Sequence, residues 1–96
     1  QQEFAGSGPF GKLSAWLTEH AAEFGFFRPY ASDRGGVMPE PWHLSYAPLA
    51  VPALAALTLE VLAEVVGSSS MDGRELVLAQ LPELYERYVL AIDPPR

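Results

Sequence analysis

The 96-residue chain has no cysteine, which excludes disulfides and thiolate metal sites but fits any compartment. Basic residues are scarce: six Lys and Arg stand against twelve Asp and Glu, for a net charge of −6, with no basic cluster. Phosphate neutralisation needs concentrated cationic side chains, so nucleic acid is not an expected partner. Long unbroken apolar runs are also missing. The nearest, APLAVPALAALTLEVLAEVV, is broken by Pro48 and Pro52 and carries Glu60 and Glu64, so no membrane span of about 20 apolar residues is expected. The opening QQEFAGSGPF has neither a basic stretch nor an apolar core, and no secretion signal is read there. It also lacks an initiator Met, and the expectation is a mature, trimmed or partial chain.

What is present points to a packed globular chain of at most one small domain, because hydrophobic residues make up 49% and charged residues only 19%. GSGPFGKLSAWLTEHAAEFGF reads as the clearest helix. Pro9 suits its first position and Gly25 its stop. Phe10, Leu13, Leu17, Ala21 and Phe24 form a stripe that should face a core. FGFFRPY reads as a short strand, ASDRGG as a loop, and PWHLSY as a second strand. Alternation then places Trp42, Leu44 and Tyr46 on one face and His43 with Ser45 on the other. Tyr46 is expected in the core.

Beyond Tyr46 the chain turns Ala- and Leu-rich and helical. Thr58 is a candidate cap for a segment closed by Gly67. Asp72 and Glu75 have capping-box spacing, and the helix that follows is expected to break or restart at Pro82, with Leu81, Leu84, Tyr85 and Tyr88 at core spacing. The element order is helix, strand, strand, helices: an α+β chain in which one helix covers a short antiparallel sheet.

Chemistry-bearing residues concentrate in PEPWHLSY. A hydrolytic zinc site takes three protein ligands and leaves a position for water, whose pKa the metal lowers toward ~7. A carboxylate that does not ligate the metal can take the water's proton and hand it to the leaving amine. His43 is a candidate ligand and Glu40 a candidate base. Residues three apart on a regular strand face opposite ways, but Pro41 removes a backbone donor and bars Glu40 from helical geometry. Glu40 then sits on a bend from which it can swing toward His43, with Trp42 packed behind. The plainer alternative, a core histidine beside an exposed carboxylate, is the commoner outcome for such a pair. The other histidine, His20, suits the C-terminal end of its helix through the helix dipole. Arg28 could bind a substrate carboxylate as a bidentate fork, or pair with Asp33 or Glu23 at the surface.

EPWHLSY, preceded by AEFGFFRPY and a Gly-containing loop, resembles the C-terminal motif of the D-alanyl-D-alanine carboxypeptidases, VanY-like members of the LAS-type zinc peptidases. There a Glu-x-x-His element supplies the base and the last zinc ligand, after a strand of the GF-x-R-x-Y kind. The resemblance implies Glu40 as base, His43 as zinc ligand, and Trp42 and Arg28 as substrate-binding or site-supporting residues. It also implies zinc as cofactor, peptidoglycan stem peptides ending in D-Ala-D-Ala as substrate, and a periplasmic or cell-envelope location. The family's other ligands, a His and an Asp in an H-x-x-G-x-A-x-D-like element, have no counterpart in this chain. The expectation is therefore the C-terminal part of a peptidase: residues 1–49 belong to a partial LAS-type core and 50–96 to a helical extension packed on it. Its partner would be the missing N-terminal half of the same domain, in the same polypeptide or as a cleaved fragment, and this chain alone would be inactive. The competing expectation is a non-catalytic helical interaction module with PEPWH as a structural strand.

Overall fold

A left-handed glycine decides how the first helix ends. In the computed structural model, which describes residues 2–95 and leaves Gln1 and Arg96 outside the described residues, α1 (Gly11–His20) tightens into a 3-10 turn at Ala21–Phe24. It stops at Gly25, whose φ of 85° lies where a side chain is strained. The start differs from expectation by two residues. Pro9 precedes the helix because Phe10 N donates to the Glu3 carbonyl at 2.7 Å, tying this stretch back to a 3-10 turn at Gln2–Phe4.

The Gly25 carbonyl accepts from Ala47 N at 2.7 Å, which draws the two strands together. β1 (Phe26–Phe27) pairs antiparallel with β2 (Ser45–Tyr46), Phe26 opposite Tyr46 and Phe27 opposite Ser45. The Phe26 and Tyr46 rings lie 5.1 Å apart. The fold is thus α+β, as expected, but the second strand is far shorter than PWHLSY. Residues 41 and 42 form a turn, and His43 and Leu44 are outside the strand. Pro41 cannot donate to a ladder, so pairing starts only once the chain has left the turn.

Helices follow directly. α2 (Ala47–Ala56) takes Pro48 in its first turn, where a missing N–H costs nothing. α3 (Leu59–Ser68) is capped as expected, with Val61 N donating to Thr58 Oγ1 at 3.2 Å. α4 (Arg74–Leu84) is not capped by Asp72. Gly73, at φ 74°, occupies the cap position with no side-chain bond, because a left-handed glycine already turns the chain there. Pro82 does not break this helix either. The chain continues to Leu84 and widens into a π-helical segment, Tyr85–Leu90, the kind of local bulge a helix uses to absorb a missing donor. α3 and α4 pack together, and Tyr85 Oη donates to the Leu57 carbonyl at 2.7 Å. Among the described residues no single helix is long and apolar enough to cross a membrane. α2 and α3 reach that length only together, with a bend of 74° between them.

The apolar core is small. Ala21, Phe27 and Leu81 are its buried members, and the molecule measures 46 × 27 × 20 Å. The stripe on α1 is buried at Ala21 but open at Phe10, Leu13 and Phe24, the last 60% exposed. Tyr46 and Tyr88 are likewise exposed rather than in the core. Periodicity identifies an apolar face; whether another element covers it depends on the tertiary arrangement.

The end of the chain returns to the loop after β1. Asp93 N donates to the Pro29 carbonyl at 2.8 Å. Its carboxylate accepts Ser32 N at 2.7 Å, the Ser32 hydroxyl at 2.9 Å, and Arg34 Nε at 2.9 Å. Arg87 Nε donates to the Gly35 carbonyl nearby. Partial burial opposes ionisation of Asp93, but the Ser32 bonds and the Arg34 guanidinium outweigh it and hold the carboxyl below its ordinary value.

Two expectations follow. Gly25→Ala combines a strained φ with a new Cβ 3.0 Å from Tyr46 Cε1 and 3.3 Å from Pro48 Cδ. It should lower unfolding free energy by about 1–3 kcal/mol, read as a lower urea midpoint at unchanged slope. Because the folded-state pKa of Asp93 is depressed, its stabilisation is complete above the unfolded value of about 3.9 and is lost as pH falls through the folded value. Asp93→Asn should flatten the acid limb of a thermal-stability profile relative to the parent chain.

Candidate active site

Glu40 and His43 meet in a turn. Pro41, with its fixed φ, follows Glu40, and His43 N donates back to the Glu40 carbonyl at 3.1 Å. The three-residue separation that would set the side chains apart on a strand here brings them together, with His43 Nδ1 3.4 Å from Glu40 Oε1. That is ion-pair range and long for a hydrogen bond. Both side chains remain partly open to solvent, the imidazole at 45% and the carboxylate at 32%.

Two residues hold the turn from outside. Tyr30 accepts Glu40 N on its carbonyl at 2.8 Å and sets its ring edge-on to the His43 imidazole, centroids 4.8 Å apart and planes at 84°. Arg28, just past the buried Phe27, donates from Nε to the Pro41 carbonyl at 2.8 Å. Its other nitrogens reach α1: Nη1 donates to Thr18 Oγ1 at 2.6 Å, and Nη2 to the Ser14 carbonyl and hydroxyl at 3.1 and 3.0 Å. The planar guanidinium thus spans helix and turn in a way a single ammonium could not. The two carboxylates expected as its ion-pair partners have other contacts: Asp33 accepts from Gly35 N at 2.9 Å, and Glu23 lies 3.3 Å from His20 Nδ1.

Trp42 occupies the remaining turn position. It is 44% exposed and leans on Phe4, ring centroids 6.0 Å apart, so it flanks the turn instead of packing behind a strand. An open groove of about 480 Å³ is lined by Gln2, Phe4, Ala5, Arg28, Ala31, Pro39 and Pro41. His20 lies at the end of α1, over Trp16 and beside Glu19 and Glu23, with no link to the turn among its described contacts. Tyr30, Ser14 and Thr18 were not singled out from the sequence. Tyr30 carried a signal as the last residue of the GF-x-R-x-Y pattern; Ser14 and Thr18 carried none.

In chemical terms, the carboxylate and Nδ1 face one another. A carboxylate placed beside an imidazole in this way can serve as a proton acceptor for a group bound near the ring. Metal binding is a different matter. Among the described residues no group of three or more His, Cys, Asp or Glu side chains could hold a metal ion, so the pair supplies one imidazole and one carboxylate. These residues alone do not fit a catalytic zinc, which needs three protein ligands.

Replacing Arg28 by Lys keeps the charge and removes the fork. The variant should lose about 1.5–3 kcal/mol of stability, the scale of hydrogen bonds to a charged group. It should also exchange the His43 amide faster, as read by hydrogen–deuterium exchange.

Comparison with known proteins adds a family match. The family model described as D-alanyl-D-alanine carboxypeptidase matches residues 1–49, the segment holding α1, the sheet and the Glu40–His43 turn. The chain is also similar to a protein of Haemophilus influenzae described as uncharacterized, 29% identical over 90 residues that cover 92% of this chain and 69% of that protein. No solved structure matches the chain.

Proposed function

The chain belongs to the D-alanyl-D-alanine carboxypeptidase family, and on that premise we propose that Glu40 is the general base and His43 one zinc ligand of a carboxypeptidase that trims terminal D-alanine from peptidoglycan stem peptides. The observation that carries this reading is the 3.4 Å approach of Glu40 Oε1 to His43 Nδ1 across the Pro41 turn. A base has to face the water it deprotonates, so the nitrogen turned toward the carboxylate, Nδ1, is the proposed ligand atom. Glu40 takes a proton on its carboxylate and releases it to the departing amine. Tyr30 keeps the imidazole ring in place, and Arg28 fixes the turn on α1. The groove lined by Arg28, Pro39 and Pro41 is the proposed seat of the peptide.

The remaining ligands, a His and an Asp in the family that the turn resembles, are proposed to come from a segment outside this chain, in the same polypeptide or as a cleaved fragment. The chain alone is then expected to be inactive and to hold zinc far below one equivalent. Stoichiometric zinc that depends on His43, measured by elemental analysis of the isolated chain, would contradict that division.

A second reading rests on a separate observation. Leu49, Val65 and Leu76 on α2, α3 and α4 are 60–71% exposed, as the contact face of a helical interaction module would be. Glu40→Gln in the intact parent protein separates the two. The peptidase reading predicts a fall in turnover of ~10²-fold or more at unchanged zinc content, the scale of general-base catalysis. The interaction reading predicts that every function of the parent survives the substitution.

A further inference from the structure

We propose that Asp93 is a positioning residue for the Glu40–His43 turn: it straps the end of the helical extension to the loop after β1 and so holds Tyr30 against both site residues. The inference deepens the reading of Glu40 and His43 as a site, and rests on it for its functional meaning.

The route is short and continuous. Pro29 and Ser32 bracket Tyr30 and Ala31 in sequence, and Asp93 grips both. Its N–H donates to the buried Pro29 carbonyl at 2.8 Å, and its carboxylate accepts Ser32 N and the Ser32 hydroxyl. Tyr30, between them, gives its carbonyl to Glu40 N at 2.8 Å and its ring edge to His43. The peptide unit before Tyr30 and the one after Ala31 therefore cannot shift without breaking a bond to Asp93. Arg34 adds a third donor to the same carboxylate at 2.9 Å.

An isolated surface ion pair contributes little, and this arrangement differs from one in two respects. The Asp93 side chain is only 17% exposed, and its partners include a backbone group, Ser32 N, while the Asp93 main chain separately holds the Pro29 carbonyl. Other described anchors of residues 31–39 are local or come from the same extension. One is the Asx-type bond from Gly35 N to Asp33 Oδ1; another is the bond from Arg87, which comes from the same helical extension. Sixty-one residues separate Ser32 from Asp93, so the extension closes the loop from a distance. The extension therefore acts on the site as a brace, in addition to any contact its helices make elsewhere.

The test needs no catalysis, so its failure is distinct from failure of the peptidase reading. The full chain, its Asp93→Ala variant and its Ser32→Ala variant are compared by NMR. The readouts are amide exchange at Glu40, which the Tyr30 carbonyl protects, and the ring-proton shifts of His43. His20 and the Val61 amide in the Thr58 cap serve as internal references remote in sequence from the strap. In Asp93→Ala, Glu40 exchange should rise ~10-fold or more, the signature of a local opening, and the His43 signals should move while His20 and Val61 stay put. Ser32→Ala, which deletes a single hydroxyl, should show the same pattern at smaller amplitude. Glu40 exchange within ~2-fold of the parent chain, with unmoved His43 signals in folded Asp93→Ala, overturns the proposal. If Asp93→Ala also perturbs His20 and Val61, Ser32→Ala decides: a change confined to Glu40 and His43 supports the strap, and no change there overturns it.

Discussion

One hydrogen bond, from Arg28 Nε to the Pro41 carbonyl at 2.8 Å, joins the two parts of the molecule that the site needs. Behind it stands α1, which the same guanidinium holds through Ser14 and Thr18. In front stands the turn in which Pro41 sets the backbone and His43 N closes on the Glu40 carbonyl. A charged, planar donor shared among a helix and a turn gives rigidity beyond that of apolar packing, because among the described residues the large apolar side chains that are buried are Phe27 and Leu81. In so lightly packed a chain, hydrogen bonds to fixed backbone groups have to set position.

The same logic extends to the other side of the turn. Tyr30 touches Glu40 through its backbone and His43 through its ring, and the loop carrying Tyr30 is itself held by Asp93 near the end of the chain. Residues far apart in sequence thus converge on four consecutive positions. The helices between them leave large apolar side chains open, Leu49 and Val65 among them. Their exposure accords with a chain whose order is set by polar struts at one end and helix–helix contact at the other.

Local chemistry in the sequence foretold local structure well. Gly25 stops the first helix because only glycine takes a φ of 85° there without strain, and Thr58 caps α3 because its hydroxyl is placed to accept an orphan N–H. Glu40 and His43 come together through the agency expected of Pro41, although the vehicle is a turn and not the bend of a long strand. The failures have a common cause. Asp72 lost the cap to Gly73, Tyr46 and Phe24 face outward, and Arg28 reaches across to Thr18, Ser14 and Pro41. Each depends on where distant elements come to lie. Asp93 belongs to the same class: nothing in DPPR announces a contact with residues 29–34.

The central claim is that the turn presents a base and a metal ligand on one side of the same space. Anomalous diffraction at the zinc edge, on crystals of the intact parent protein grown with zinc, tests it directly. The account predicts a zinc peak for which His43 Nδ1 would be one ligand, while the Glu40 carboxylate stays unbonded to the metal and free to move a proton. A zinc site that omits His43, or one that takes Glu40 as a ligand, would contradict the account.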